Sequence, residues 1–220
     1  MNRLAATVLL CAALSSCNTA RAIDPDEYEV WDLDHSAGVH LPDSTTFAAA
    51  PEYSEPFLIM GRAEVDALTL ATFVRRHNPD FEIEIAEAYL RLGELYGIRG
   101  DVALCQAIIE TGWFRFADGT AVTADQHNYC GLGVTRRGLR GSSFETIDDG
   151  VRAQLQHLYA YACNEPLPEG EPEVDPRFRL VSRGVATTWF DLANRWAMNP
   201  NYGKQIHSMY DQLQQSAKSQ

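Results

Sequence analysis

From Gly61 onward the apolar residues of this chain fall into stripes, and the spacing of those stripes is helical. Residues 64–76 set Val65, Leu68 and Ala71 on one side of a first predicted helix. Asp80 is placed to cap a second helix running to Tyr96, with Ile85, Tyr89 and Leu92 along one face and Gly97 as its stop. The alternation Phe81-Glu82-Ile83-Glu84-Ile85 also suits a strand, but the periodicity that follows favours helix. Asp101 caps a third predicted helix through about Trp113, and residues 117–145 form a loop rich in glycine and polar residues. Thr146 and Asp149 have the pattern of a capping box. It opens a helix to about Cys163 that turns Val151, Leu155, Leu158 and Ala162 inward. Residues 164–176 hold four prolines (Pro166, Pro168, Pro172, Pro176) and read as a loop. Thr188 starts a short helix carrying Trp189, Leu192 and Trp196. Tyr202, Ile206, Met209, Tyr210 and Leu213 make the clearest stripe, a C-terminal helix. There is no internal repeat. The expected fold class is mainly α, one helical domain over residues 58–220 with a short glycine-rich loop or hairpin.

Upstream of the stripes the pattern changes. Residues 18–57 contain Pro25, Pro42, Pro51 and Pro56, and nine acidic residues against the single base Arg21. Such a segment reads as a flexible acidic tether, spanning roughly 35 Å as a coil. Residues 1–16 carry one early cation, Arg3, and an apolar run over 4–14 that is too short to cross a bilayer, the form of a signal peptide. The run ends in Leu14-Ser15-Ser16-Cys17, which resembles the lipobox of bacterial lipoproteins. The resemblance implies diacylation of Cys17 and a membrane partner through an N-terminal lipid anchor. Cleavage after Ala20-Arg21-Ala22 is the rival reading and would release a soluble protein, and on either reading the chain is exported. Asn18, where an Asp often retains lipoproteins at the inner membrane, points to the outer membrane facing the periplasm.

The formal charge of −12 over 220 residues excludes the basic footprint that nucleic acid requires. Once the leader and a lipidated Cys17 are set aside, Cys105, Cys130 and Cys163 remain. At most one disulfide can form among them, and three buried thiols are the equal alternative. The six histidines lack metal-ligand spacing, so neither metal nor cofactor is expected.

The chemistry concentrates in Ala103-Leu104-Cys105-Gln106-Ala107-Ile108-Ile109-Glu110-Thr111-Gly112-Trp113-Phe114. An otherwise apolar helix here places one carboxylate in its last turn, beside aromatics. Burial near Trp113 raises the pKa of Glu110, and the negative end of the helix dipole acts the same way. A carboxyl kept protonated near neutral pH is what a glycosidase needs to protonate a leaving oxygen. Taken alone, the same Glu reads more readily as the point where a helix meets solvent. Further stretches accompany it: Gln126-His127-Asn128-Tyr129-Cys130-Gly131-Leu132-Gly133, Ser143-Phe144-Glu145, Val174-Asp175-Pro176-Arg177-Phe178, Leu192-Ala193-Asn194-Arg195-Trp196-Ala197 and Asn199-Pro200-Asn201-Tyr202-Gly203.

In this order and spacing they resemble the endo-β-N-acetylglucosaminidase domain of bacterial autolysins and flagellar peptidoglycan hydrolases, the family 73 glycoside hydrolases. The resemblance covers about residues 58–215. It implies a lysozyme-like fold and a peptidoglycan hydrolase that cleaves the β-1,4 bond after N-acetylglucosamine, with glycan strands as partner. It implies Glu110 as the general acid and a sugar cleft lined by Asn128, Tyr129 and Gly131, with Tyr202 matching a tyrosine that follows an Asn-Pro pair. Trp113 and Trp196 are further candidates for stacking on sugar, with burial in the helical core as the alternative for each indole.

The chain departs from better-studied relatives in one stretch. Val134-Thr135-Arg136-Arg137-Gly138-Leu139-Arg140-Gly141 is short and lacks the second acid many relatives carry there, Asp125 and Glu145 being the nearest substitutes. Two mechanisms therefore stand: a displaced carboxylate that activates water, or attack by the acetamido group of the substrate, oriented by Tyr129 or Asn128. Arg136, Arg137 and Arg140 read either as readers of lactyl and stem-peptide carboxylates or as a solvated turn. A muramidase or lytic transglycosylase on a similar fold, and a wall-binding lipoprotein without catalysis, are the alternative functions.

Overall fold

The computed structural model describes residues 56–117, 120–134 and 140–219. The leader, the lipobox, the tether through residue 55, Arg136 and Arg137 lie outside the described residues, while Phe57, assigned to the end of the tether, is buried in the core. Five helices carry the fold: α1 (Ala67–Arg75), α2 (Ile83–Tyr96), α3 (Gly100–Thr111), α4 (Ile147–Ala162) and α5 (Tyr202–Lys218). Short 3-10 turns at Ala124–Gln126, Phe178–Leu180 and Trp189–Leu192 punctuate the loops.

Helix α3 is the hub. Its residues 100–108 are all buried, as expected for a helix apolar all round. α2 packs on α3 and on α4, and α5 packs on α3. The α2–α3 approach needs Gly100, where an added Cβ would lie 2.1 Å from the carbonyl oxygen of Tyr89. The inward stripe of α4 is as its spacing predicts, with Val151, Leu155, Leu158 and Ala162 all buried. The same holds for Tyr202, Ile206, Met209, Tyr210 and Leu213 on α5. Each large apolar side chain so buried contributes ~1.5–3 kcal/mol relative to exposure. The chain ahead of α1 is part of this body. Ile59 donates to Thr187 O at 2.9 Å and accepts from Arg99 N–H at 3.0 Å, so residues 57–61 thread between two distant segments.

The helix ends differ in detail from the sequence expectation. α1 begins at Ala67, where Asp66 accepts from Thr69 N–H at 2.8 Å. Its buried face is therefore Leu70, Ala71, Phe73 and Val74, and Leu68 is 63% exposed. Neither Asp80 nor Asp101 caps a helix, the N-cap positions being Glu82 and Arg99. Asp101 lies instead in the first turn of α3, fully buried, where it accepts from Glu64 N–H at 2.8 Å and faces Arg99 at 3.5 Å. At α4, Thr146 caps Asp149 N–H at 3.1 Å, but the Asp149 carboxylate takes the Thr146 hydroxyl rather than its backbone N–H. Trp196 lies beyond the short 3-10 turn that was expected to carry it. Among the described residues of 117–145 there is a 3-10 turn and no strand. Cys105, Cys130 and Cys163 are all free thiols.

Candidate active site

Glu110 is the penultimate residue of α3, where the chain must reverse. Gly112 ends the helix in a left-handed conformation (φ 60°), and Trp113 (φ 65°) and Phe114 (φ 56°) follow in the same region. Two bulky residues there cost of order 1–3 kcal/mol each, and local bonds hold the turn. The Asn78 side-chain amide donates to the carbonyls of Trp113 (3.2 Å) and Phe114 (3.1 Å). Thr111 Oγ1 accepts from Phe114 N–H at 2.8 Å and donates to Ala107 O at 2.7 Å. A strained, over-determined turn therefore fixes the end of the helix that carries Glu110.

The Glu110 side chain accepts from the Tyr202 hydroxyl, at the first turn of α5, and the Trp196 indole acts on the same carboxyl. Loss of water around the carboxyl outweighs both influences and raises its pKa to about 7. Behind Trp196 the His157 ring stands edge-on at 5.0 Å, with its Nδ1 2.7 Å from the buried Asp175 carboxylate. Tyr161 flanks the same indole at 6.3 Å. Tyr202 is buried, and its phenol pKa is pushed far up by burial, then by Glu110. The buried Cys130 thiol also feels the Glu110 charge, though burial itself is the main reason its pKa is raised.

The structure thus brings Glu110 and Tyr202 into direct contact. Asn128 is fully buried and acts on its own loop. Its amide nitrogen donates to Leu132 O and Ser142 O, each at 2.9 Å, and its oxygen accepts from Leu132 N–H at 3.0 Å. Tyr129 is buried against Phe114 (5.7 Å), Phe116 and Tyr89, with its hydroxyl 3.3 Å from His127 Nδ1. Gly131 adopts φ +68° with open space beyond it. Trp113 packs on Phe73 (5.3 Å) and stacks on His77 (3.7 Å), so the indole that meets the carboxyl is Trp196. Arg140 is engaged with Asp125 at 2.7 Å, both exposed, and the Thr123 side chain, followed by Arg140, holds the Asp125 carboxyl below its usual range. Glu145 is exposed.

The sequence reading missed two participants, the fully buried Gln106 and Gln154 behind Tyr202, and it considered Trp196 only for sugar stacking. The glutamines left a signal. Gln106 stands four residues before Glu110 on an otherwise apolar helix, and Gln154 interrupts the inward stripe of α4. Among the described residues no group of His, Cys, Asp or Glu is arranged to hold a metal ion, and no helix is long and apolar enough to cross a membrane.

A helical domain that keeps one carboxyl protonated near neutral pH, between a phenol and an indole, has the equipment of a glycoside hydrolase. The chain belongs to the glucosaminidase family, whose model, described as mannosyl-glycoprotein endo-beta-N-acetylglucosaminidase, matches residues 86–215. A protein of Borreliella burgdorferi, itself uncharacterised, is 33% identical over 162 residues, covering 72% of this chain and 77% of the relative. No solved structure matches the chain. The segment 56–85, outside the family match, still supplies α1, the start of α2 and the Asn78 clamp on the Glu110 turn.

Proposed function

We propose that this protein is a peptidoglycan hydrolase that cleaves the β-1,4 bond after N-acetylglucosamine, with Glu110 as general acid. The observation that carries the reading is the Glu110 carboxyl at the end of α3, hydrogen-bonded by Tyr202 and desolvated so that its pKa is raised to about 7. As the bond from the anomeric carbon to the leaving oxygen breaks, Glu110 transfers its proton to that oxygen. The carboxylate left behind is stabilised by Tyr202, whose bond strengthens as charge develops, with the Trp196 indole beside it. The stretch 134–141 carries no carboxylate where many relatives have their second acid, which favours the acetamido carbonyl of the substrate as the group that attacks the anomeric carbon. Water then opens the cyclic intermediate at that carbon and returns a proton to Glu110, with net retention.

Digestion of purified wall glycan, borohydride reduction and mass spectrometry test the bond. Reduced N-acetylglucosamine ends are expected, first formed as the β anomer. Reduced muramic ends would make the enzyme a muramidase, and anhydro-muramic ends a transglycosylase. Glycan binding without fragments would leave a wall-binding protein.

For location, we propose export and anchoring through Cys17, supported by Leu14-Ser15-Ser16-Cys17. Cys17→Ser is expected to abolish acyl labelling and to move the protein out of the membrane fraction. An unlabelled wild type beginning at Ile23 would sink this reading.

A further inference from the structure

Behind Glu110 runs a buried chain of hydrogen bonds whose direction is set at one point. The carbonyl oxygen of Ala103 can only accept, so the Gln154 atom 3.1 Å from it is Nε2. That nitrogen also lies 2.8 Å from Gln106, and the Gln106 atom facing it is therefore the acceptor Oε1. The other end of Gln106, Nε2, then donates to the Tyr202 hydroxyl oxygen at 2.9 Å. A phenol has one proton. With its oxygen already accepting from Gln106, Tyr202 directs that proton to Glu110 Oε1. The Tyr89 hydroxyl closes the far end by donating to Gln154 Oε1. Tyr89, Gln106 and Gln154 have no exposed surface, so water does not compete for any of these bonds.

We propose that Gln106 and Gln154 are positioning residues that decide which oxygen of Glu110 carries the catalytic proton. The proposal rests on Glu110 being the acid, as above. An oxygen that accepts from Tyr202 plays the carbonyl role of a neutral carboxyl, which confines the acidic proton to Oε2. Without the Gln106 donor, the Tyr202 oxygen becomes free to accept. The neutral acid then turns its O–H onto the phenol, and the proton is withheld from the leaving oxygen. The titratable groups facing Glu110 are Tyr202 from α5 and Cys130 from the loop, both kept neutral by burial, while His157 and Asp175 stand behind Trp196. No other element in the chain of bonds brings a charge to the carboxyl.

Gln106→Met keeps the length and removes both polar atoms. Its kcat is expected to fall at least tenfold with KM within twofold. The alkaline limb of its pH profile is expected to move to higher pH, because the carboxylate loses a fixed donor. Tyr202→Phe is expected to move the same limb the same way, and the double variant to be no worse than Tyr202→Phe alone, since Gln106 acts only through the phenol. A folded Gln106→Met with wild-type kcat and limb, or losses that multiply in the double variant, would overturn the proposal. Should Gln106→Met fail to fold, Gln154→Met frees Gln106 to flip, and an unchanged limb there overturns it equally. A fully active Glu110→Gln would remove the acid assignment itself. An inactive Glu110→Gln beside an unaltered Gln106→Met would remove only the role of the glutamines.

Discussion

Glu110→Gln is expected to lower turnover of wall glycan by ~10²–10⁴-fold, the usual worth of a general acid, and at the same time to remove one pH-dependent contribution to stability. The side chain keeps its shape and loses its proton. Glu110 in the folded protein has its pKa raised from 4.5 to about 7, so the fold prefers the protonated form. The stability this represents is fully present below about 4.5 and is lost as pH rises through about 7. A difference of that size is on the order of 3 kcal/mol. Between pH 5 and pH 8 the wild type should therefore lose stability relative to Glu110→Gln, whatever the offset between them at pH 5. Thermal unfolding of both proteins across that range measures it. The same titration sets the wild-type rate, which should fall about tenfold per pH unit above 7 as the acid ionises. A Glu that only finishes a helix at the surface would give parallel stability curves and nearly full activity.

Gly150→Ala is expected to be the most damaging small substitution in the domain. Gly150 is in the first turn of α4, and its added Cβ would sit 1.7 Å from the carbonyl oxygen of His127, where ordinary contact begins near 3.4 Å. Backbone meets backbone there, so no flexible side chain can swing aside. The loss should be about 3 kcal/mol, near the top of the usual overpacking range, or on the order of 10 °C in Tm for a domain of this size. Activity should fall further than stability alone explains, because the displaced segment carries Asn128, Tyr129 and Cys130. Gly131→Ala is the matched comparison. It meets open space, and its left-handed backbone costs only about 1 kcal/mol. Calorimetry of the two variants separates a steric contact from a conformational preference, and equal shifts would refute the contact.

Much of the fold was legible because it depends on local periodicity. The stripes on α4 and α5 need only the 3.6-residue repeat, and every position named in them is buried. The stop of α2 at Gly97 is equally local, a left-handed cap that glycine adopts without strain. The cap positions were harder. An aspartate ahead of an apolar run caps a helix only if its side chain is free to fold back, and Asp101 was taken by Glu64 from 37 residues away. The first helix was displaced for a similar reason: the periodicity of residues 64–76 admits more than one face, and packing on α2 and α5 chose the one with Leu70 and Val74.

At the site, the sequence by itself determined that one carboxylate, Glu110, ends an apolar helix, and its motif order named Tyr202 as a companion. It could not say that the two touch, because 92 residues separate them and only the seating of α5 on α3 joins them. Nor could it choose between Trp113 and Trp196 as the indole at the carboxyl. Proximity in sequence favoured Trp113, but the left-handed turn at Gly112 swings that ring onto Phe73 and His77. The direction of the Gln154–Gln106–Tyr202 bonds is likewise decided only in three dimensions. A buried amide can point either way, and a single backbone carbonyl on a neighbouring helix fixes which.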